Sequence, residues 1–132
     1  MSDRGPVVYV VDDDNAVRHS LEWLLGDDDF KVLSFSSADA FLEALDPTQP
    51  GCLVVDVRMP GMSGLELQKK IKARDINLPV IIITGHSDRN MAQRARSAGA
   101  MDFLEKPLDD MALIALVRKA LGISPPDPPP SS

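Results

Sequence analysis

The sequence predicts an α/β fold, a (βα)5 doubly wound parallel sheet. Three observations predict it. Residues 7–11, 52–55 and 80–83 are unbroken apolar runs rich in β-branched residues, as strands buried on both faces require. Helical patterns fill the intervals between them, so strands and helices alternate. Two weaker, mixed runs, 31–35 and 101–104, complete a set of five.

The elements follow in order. After the first strand, Val17, Leu21, Leu24 and Leu25 fall at helical spacing and Gly26 closes the helix. After the second, Ser36 or Ser37 can cap a helix carrying Ala38, Phe41, Leu42 and Leu45, with Pro47 beyond it. After the third, Ser63 can cap a helix carrying Leu65, Leu67 and Ile71. After the fourth, Asp88 can cap one carrying Met91, Ala92, Ala95 and Ala98, closed by Gly99. The last helix spans 109–121 with Leu113, Leu116, Val117 and Ala120, then Gly122. The three strong runs belong inside the sheet and the two weak ones at its edges. The strand order 2-1-3-4-5, the flavodoxin-like order, meets that requirement. It puts a topological switch point between strands 1 and 3, and ligands bind there at the carboxyl ends of the strands.

The chain has 132 residues, is 44% hydrophobic and carries a net charge of −6. This suits one domain, assigned to residues 7–122, behind an N-terminal extension of residues 1–6. Residues 123–132 are Pro-rich and are expected to form a flexible tail or a truncated linker. The acidic balance disfavours direct nucleic-acid binding and anionic membrane surfaces. No apolar stretch approaches the roughly 20 residues that span a bilayer. Cys52 is a lone cysteine, expected in the core. That usage fits a reducing cytoplasm.

Polar residues cluster at the strand ends. Strand 1 ends in Asp12, Asp13 and Asp14, strand 3 in Asp56, strand 4 in Thr84, and strand 5 runs into Glu105 and Lys106. Each alone is unremarkable: Asp14 suits a helix cap and Asp56 a turn. Together they predict converging carboxylates, which repel one another unless a divalent cation neutralises them. Oxygen ligands favour Mg²⁺. A carboxylate nucleophile, Mg²⁺, a Lys ammonium and a Thr hydroxyl suit phosphoryl transfer, which needs positioning and charge neutralisation more than acid or base.

The motifs at these positions are Val10-Val11-Asp12-Asp13-Asp14, residues 55–64 reading Val-Asp-Val-Arg-Met-Pro-Gly-Met-Ser-Gly, Ile83-Thr84-Gly85-His86 and Asp102-Phe103-Leu104-Glu105-Lys106-Pro107. In that order, the set resembles the receiver domain of two-component response regulators, and its wording is most similar to the FixJ-type subgroup. The resemblance implies Asp56 as phosphoacceptor, with Mg²⁺ held by Asp12, Asp13, Asp56 and the backbone carbonyl of Arg58. It implies that Thr84 and Lys106 engage the phosphoryl group, with a cis Lys106-Pro107 bond. It implies a switch in which Thr84 moves toward the phosphate and Phe103 turns inward, reshaping the face of helix 4, strand 5 and helix 5. A sensor histidine kinase is the implied donor, and that face is implied to form a homodimer when phosphorylated. Such a chain is not an enzyme on another substrate, although it assists its own phosphorylation and dephosphorylation. The implied output is control of transcription through a domain outside this sequence.

Some features are particular to this sequence. Arg58 and His86 flank the motif residues and are candidates for setting the phosphate lifetime. Arg89, Arg94 and Arg96 make helix 4 locally basic, as a partner face or a solvated one. Trp23 lies off the apolar stripe of helix 1, as a docking anchor or as packing against a neighbour. One alternative is a stand-alone receiver acting by protein contacts. Another is a haloacid-dehalogenase-type phosphatase, in which Asp12 would carry the phosphate and Asp56 would have no role.

Overall fold

The computed structural model describes residues 6–27, 30–59, 61–85 and 89–122. Its elements run β1 (Val7–Val11), α1 (Asn15–Asp27), β2 (Lys31–Phe35), α2 (Ala38–Ala44), β3 (Gly51–Asp56), α3 (Gly64–Ala73), β4 (Val80–Thr84), α4 (Arg89–Ser97), β5 (Asp102–Glu105) and α5 (Asp110–Ala120). The five strands form one sheet in the order β2-β1-β3-β4-β5, with every pair parallel. This is the order expected from the sequence. β1 and β4 are buried along their whole length, whereas β2 and β5 are only partly covered. The edge strands are therefore the weaker runs.

Alternation along each strand divides the core in two. Val7, Tyr9, Val11, Leu53, Val55 and Ile82 face a layer closed by Phe41 of α2, Leu67 and Ile71 of α3, and Ala95 of α4. Val8, Val10, Val54, Ile81 and Ile83 face the opposite layer, with Leu21 and Leu25 of α1 and Leu113 and Val117 of α5. Tyr9 and Phe35 each meet Phe41 of α2 edge to face, the Tyr9–Phe41 centroids lying 5.2 Å apart. Cys52 is buried in the second layer.

The helix starts are specified by short polar side chains. Ser37, rather than Ser36, caps α2 by accepting from Ala40 N at 3.1 Å. Ser63 caps α3 within a capping box, in which Glu66 returns the contact to the Ser63 amide. Asp109 is the N-cap of α5 and lies before its first turn, accepting from the amides of Met111 and Ala112. The proposed cap of α4, Asp88, and the tail 123–132 lie outside the described residues. β5 begins and ends one residue later than the mixed run 101–104. Its pairing with β4 sets the limits, since Thr84 lies opposite Glu105.

Candidate functional site

The sheet register builds the site. Val11 pairs with Val55, so Asp12, one residue past β1, comes level with Asp56 at the end of β3. Asp56 pairs with Ile83 and Thr84 with Glu105, which brings Thr84 and Lys106 to the same edge. Asp12, Asp56 and Thr84 are buried, with Asp56 at 8% exposure, while Asp13 is exposed. Asp56 thus retains a narrow opening to solvent.

Asp56 is held from two sides. Its Oδ2 accepts from Lys106 Nζ at 2.8 Å, and its Oδ1 accepts from the Arg58 backbone amide at 2.9 Å. Burial opposes the charge on Lys106, but the hydrogen bond and charge of Asp56, aided by Asp12 and Asp14, raise its pKa above the ordinary value. The Lys106-Pro107 peptide is cis, as the resemblance implied. The chain approaches Asp56 from behind at Gly64: a Cβ there would lie 2.6 Å from the Asp56 carbonyl oxygen. The Gly64 amide donates to Val57 O at 3.0 Å, binding the start of α3 to the end of β3.

Asp12 is in a different state. Its Oδ1 accepts from the Asp14 amide at 2.8 Å, but its Oδ2 is buried with no hydrogen-bond partner. Burial pushes its carboxyl up to about 6; the Asp14 amide and Lys106 oppose the rise, while the charges of Asp56 and Asp13 add to it. A bound cation would relieve both the unpaired oxygen and the crowded charge. The all-oxygen donor set fits a hard divalent ion. The convergence of three carboxylates is met only in part. Among the described residues, no group of three or more His, Cys, Asp or Glu side chains forms a ready metal cage. Asp12 feels the charges of both Asp56 and Asp13, although Asp13 stays on the surface.

The remaining candidates divide. Thr84 is fully buried and its Oγ1 donates to the Gly85 carbonyl at 3.0 Å. Phe103 is half-buried against the layer of α2, α3 and α4. Arg58 is exposed, and His86 lies outside the described residues. Asp14 caps the first turn of α1 by accepting from Ala16 N at 2.9 Å. Arg94 and Arg96 are exposed on α4. Trp23 is 75% exposed, so packing does not account for it. It borders a groove of about 730 Å³ that also meets Ala16, His19, Ser20, Lys106 and Pro107. The groove shares Lys106 with the carboxylate site.

Two supporting residues escaped the sequence reading. Arg18 donates to the Asp12 carbonyl at 2.6 Å and to Asn15 Oδ1 at 2.8 Å, fixing the turn that carries the acidic residues. Its signal was an Arg one turn into a helix that begins just past them. Gly64 was visible only as a motif letter, although glycine at the first position of a helix is a poor helix former and so marks a close approach.

Comparison with known proteins agrees with this geometry. The family model described as response regulator receiver domain matches residues 8–118. The transcriptional regulatory protein FixJ of Azorhizobium caulinodans is 54% identical over 117 residues, covering 89% of this chain and 56% of that protein. Full-length FixJ from B. japonicum superposes with a TM-score of 0.84 at 47% identity, covering 89% of this chain and 58% of that one. The structure of FixJ-N also superposes at 0.84, with 43% identity, covering 92% of this chain and 96% of that one. The chain therefore spans little more than half the length of these two full-length FixJ proteins. This match, over most of the chain and with every motif at its strand end, places it in the receiver domain family of response regulators, in the FixJ-type group.

Proposed function

We propose that this receiver accepts a phosphoryl group on Asp56 from a histidine kinase and uses it to switch the face formed by α4, β5 and α5. The observation that carries the proposal is the setting of Asp56. It is a carboxylate at the switch point, reachable from solvent and paired with Lys106. Nearby Asp12 keeps an unpartnered buried oxygen.

In the proposed reaction an Asp56 carboxylate oxygen attacks the phosphorus of the donor. The bond from phosphorus to the donor's histidine nitrogen breaks, its electron pair stays on that nitrogen, and an acyl phosphate forms. Lys106 exchanges part of its contact with Asp56 for a phosphoryl oxygen. Thr84 gives up the Gly85 carbonyl and donates to the phosphoryl group instead. Phe103 fills the space vacated. Asp12, Asp13, Asp56 and the Arg58 carbonyl would hold Mg²⁺, which supplies charge neutralisation for the phosphoryl oxygens when bound. Arg58 and His86 would control access of the water that hydrolyses the acyl phosphate.

The exposed Trp23 groove, adjoining Lys106, is the proposed seat for the kinase. Among the described residues, no helix is long and apolar enough to cross a membrane, which accords with a cytoplasmic setting. A transcriptional output domain, a stand-alone role through protein contacts and a phosphorylated homodimer are all compatible with the α4-β5-α5 face. The FixJ likeness favours transcription. The family match favours a receiver over the haloacid-dehalogenase alternative. Incubation with acetyl phosphate should add one phosphoryl group to the intact mass with Mg²⁺ present and none with EDTA. No gain in either condition would exclude the proposal.

A further inference from the structure

Two polar side chains join α3 to the far end of α4. Gln68 is 4% exposed, and its Nε2 donates to the Ala95 carbonyl at 2.9 Å, across 27 positions of sequence. Lys72, one turn later, donates through Nζ to the Ala98 carbonyl at 3.1 Å. Both acceptors belong to the closing turn of α4. There the Ala100 amide returns to Ala95 O at 2.9 Å and the Gly99 amide to Arg96 O at 3.1 Å. Gly99 has φ +118°, so this is a Schellman end. Gly99 also closes against the two side chains: a Cβ there would meet Lys72 Nζ at 3.2 Å and Gln68 Nε2 at 3.7 Å.

Packing alone does not call for this arrangement. A leucine at position 68 would fill similar space and leave nothing unsatisfied. Gln68 instead buries an Oε1 that has no hydrogen-bond partner. Such a residue makes sense if its donor contact matters. Lys72 in turn places a positive charge at the negative end of the α4 dipole. The other end of α3 is tied to the phosphoacceptor strand, through the Gly64 amide to Val57 O and the close approach of Gly64 to Asp56.

We infer that α3 is a strut fixing the C-terminal end of α4 to the Asp56 strand, with Gln68 and Lys72 as its positioning residues. The switch, which rests on the function proposed above, then pivots α4 about this end. Its first turn, which follows Thr84, moves, and its closing turn does not.

Hydrogen exchange of the whole chain tests the strut, with Gln68→Leu, Lys72→Met and Lys72→Arg as variants. In the unphosphorylated protein, the amides of residues 98–100 should exchange about tenfold faster in Gln68→Leu and Lys72→Met than in the parent. Lys72→Arg should restore the parent rate, and amides in β1 and β3 should not change. On acetyl phosphate labelling, the parent should change exchange at the start of α4 while residues 98–100 stay protected. Three results would overturn the inference: unchanged exchange at 98–100 in Lys72→Met, a similar rise in β1 and β3, or opening of 98–100 in the labelled parent. Lys72 is exposed, so its variants fold even if Gln68→Leu does not. Failure of the phosphorylation reading would show as no labelling, and the unphosphorylated comparison would still judge the strut.

Discussion

At Asp56, two donors occupy both oxygens of one carboxylate, Lys106 on one and the Arg58 amide on the other. The pairing orients the carboxylate without sealing it, because Asp56 keeps a solvent opening. Lys106→Met removes the only one of these two donors that can follow a phosphoryl oxygen. Labelling by acetyl phosphate should slow on the order of 10²-fold, while the stability midpoint in urea changes little. An unaltered labelling rate would assign Lys106 a purely structural role. Cys52 offers a separate check on the core. Burial pushes its thiol up from 9.0 to about 12, so the native side chain stays protonated at neutral pH. The raised pKa contributes stability that is present below pH 9 and lost as pH rises toward 12. Iodoacetamide at pH 8 should leave the native protein unmodified and add one alkyl group after guanidinium unfolding, as read by intact mass.

Among the elements, α3 carries two neighbouring residues with different duties. Ser63 starts the helix through its capping box, and Gly64 lets that start press against the Asp56 carbonyl. Ser63→Ala should cost about 1 kcal/mol of stability and leave the labelling rate near that of the parent. Gly64→Ala should cost about 1–3 kcal/mol through overpacking. Because its Cβ would meet backbone, it should also slow labelling of Asp56. Denaturant melts and labelling rates measured on both variants separate cap from site. If the two variants behave alike, Gly64 has no special tie to Asp56.

The elements themselves were readable because burial on both faces leaves unbroken apolar runs at β1, β3 and β4, and because Ser63 and the pair Ser36-Ser37 mark helix starts, the cap falling on Ser37. Strand limits at β5 were not readable, since Glu105 is held by its partner Thr84 and not by its own polarity. The contacts of Arg18, Gln68 and Lys72 were hidden for a similar reason. Each depends on a backbone carbonyl of another segment, and a carbonyl leaves no letter in the sequence.

Over the whole molecule, the sheet is the partition between two core layers, and Phe41 closes one of them from α2 with no exposed surface. Phe41→Ala should lower stability by about 3–5 kcal/mol without touching Asp56. Leu33, 40% exposed on the edge strand β2, should tolerate alanine within about 0.5 kcal/mol. Urea midpoints compare the two, and equal losses would contradict the two-layer account. The sheet order also explains why the site could be placed from sequence: parallel strands end together, so residues just past apolar runs meet. What could not be placed was the balance among the acidic residues. Asp12 is buried with an unpaired oxygen, whereas Asp13 is exposed one residue later. The alternation that separates them continues from β1, but its outcome depends on how the turn held by Arg18 faces solvent.

The proposed switch depends first on Asp56 being the phosphoacceptor of this domain. Peptide mapping of the acetyl phosphate-labelled protein, after borohydride trapping of the acyl phosphate, tests it most directly. The modification should fall on Asp56 and be lost in Asp56→Asn, with the fold retained by circular dichroism. Modification on Asp12, or undiminished labelling of Asp56→Asn, would contradict it.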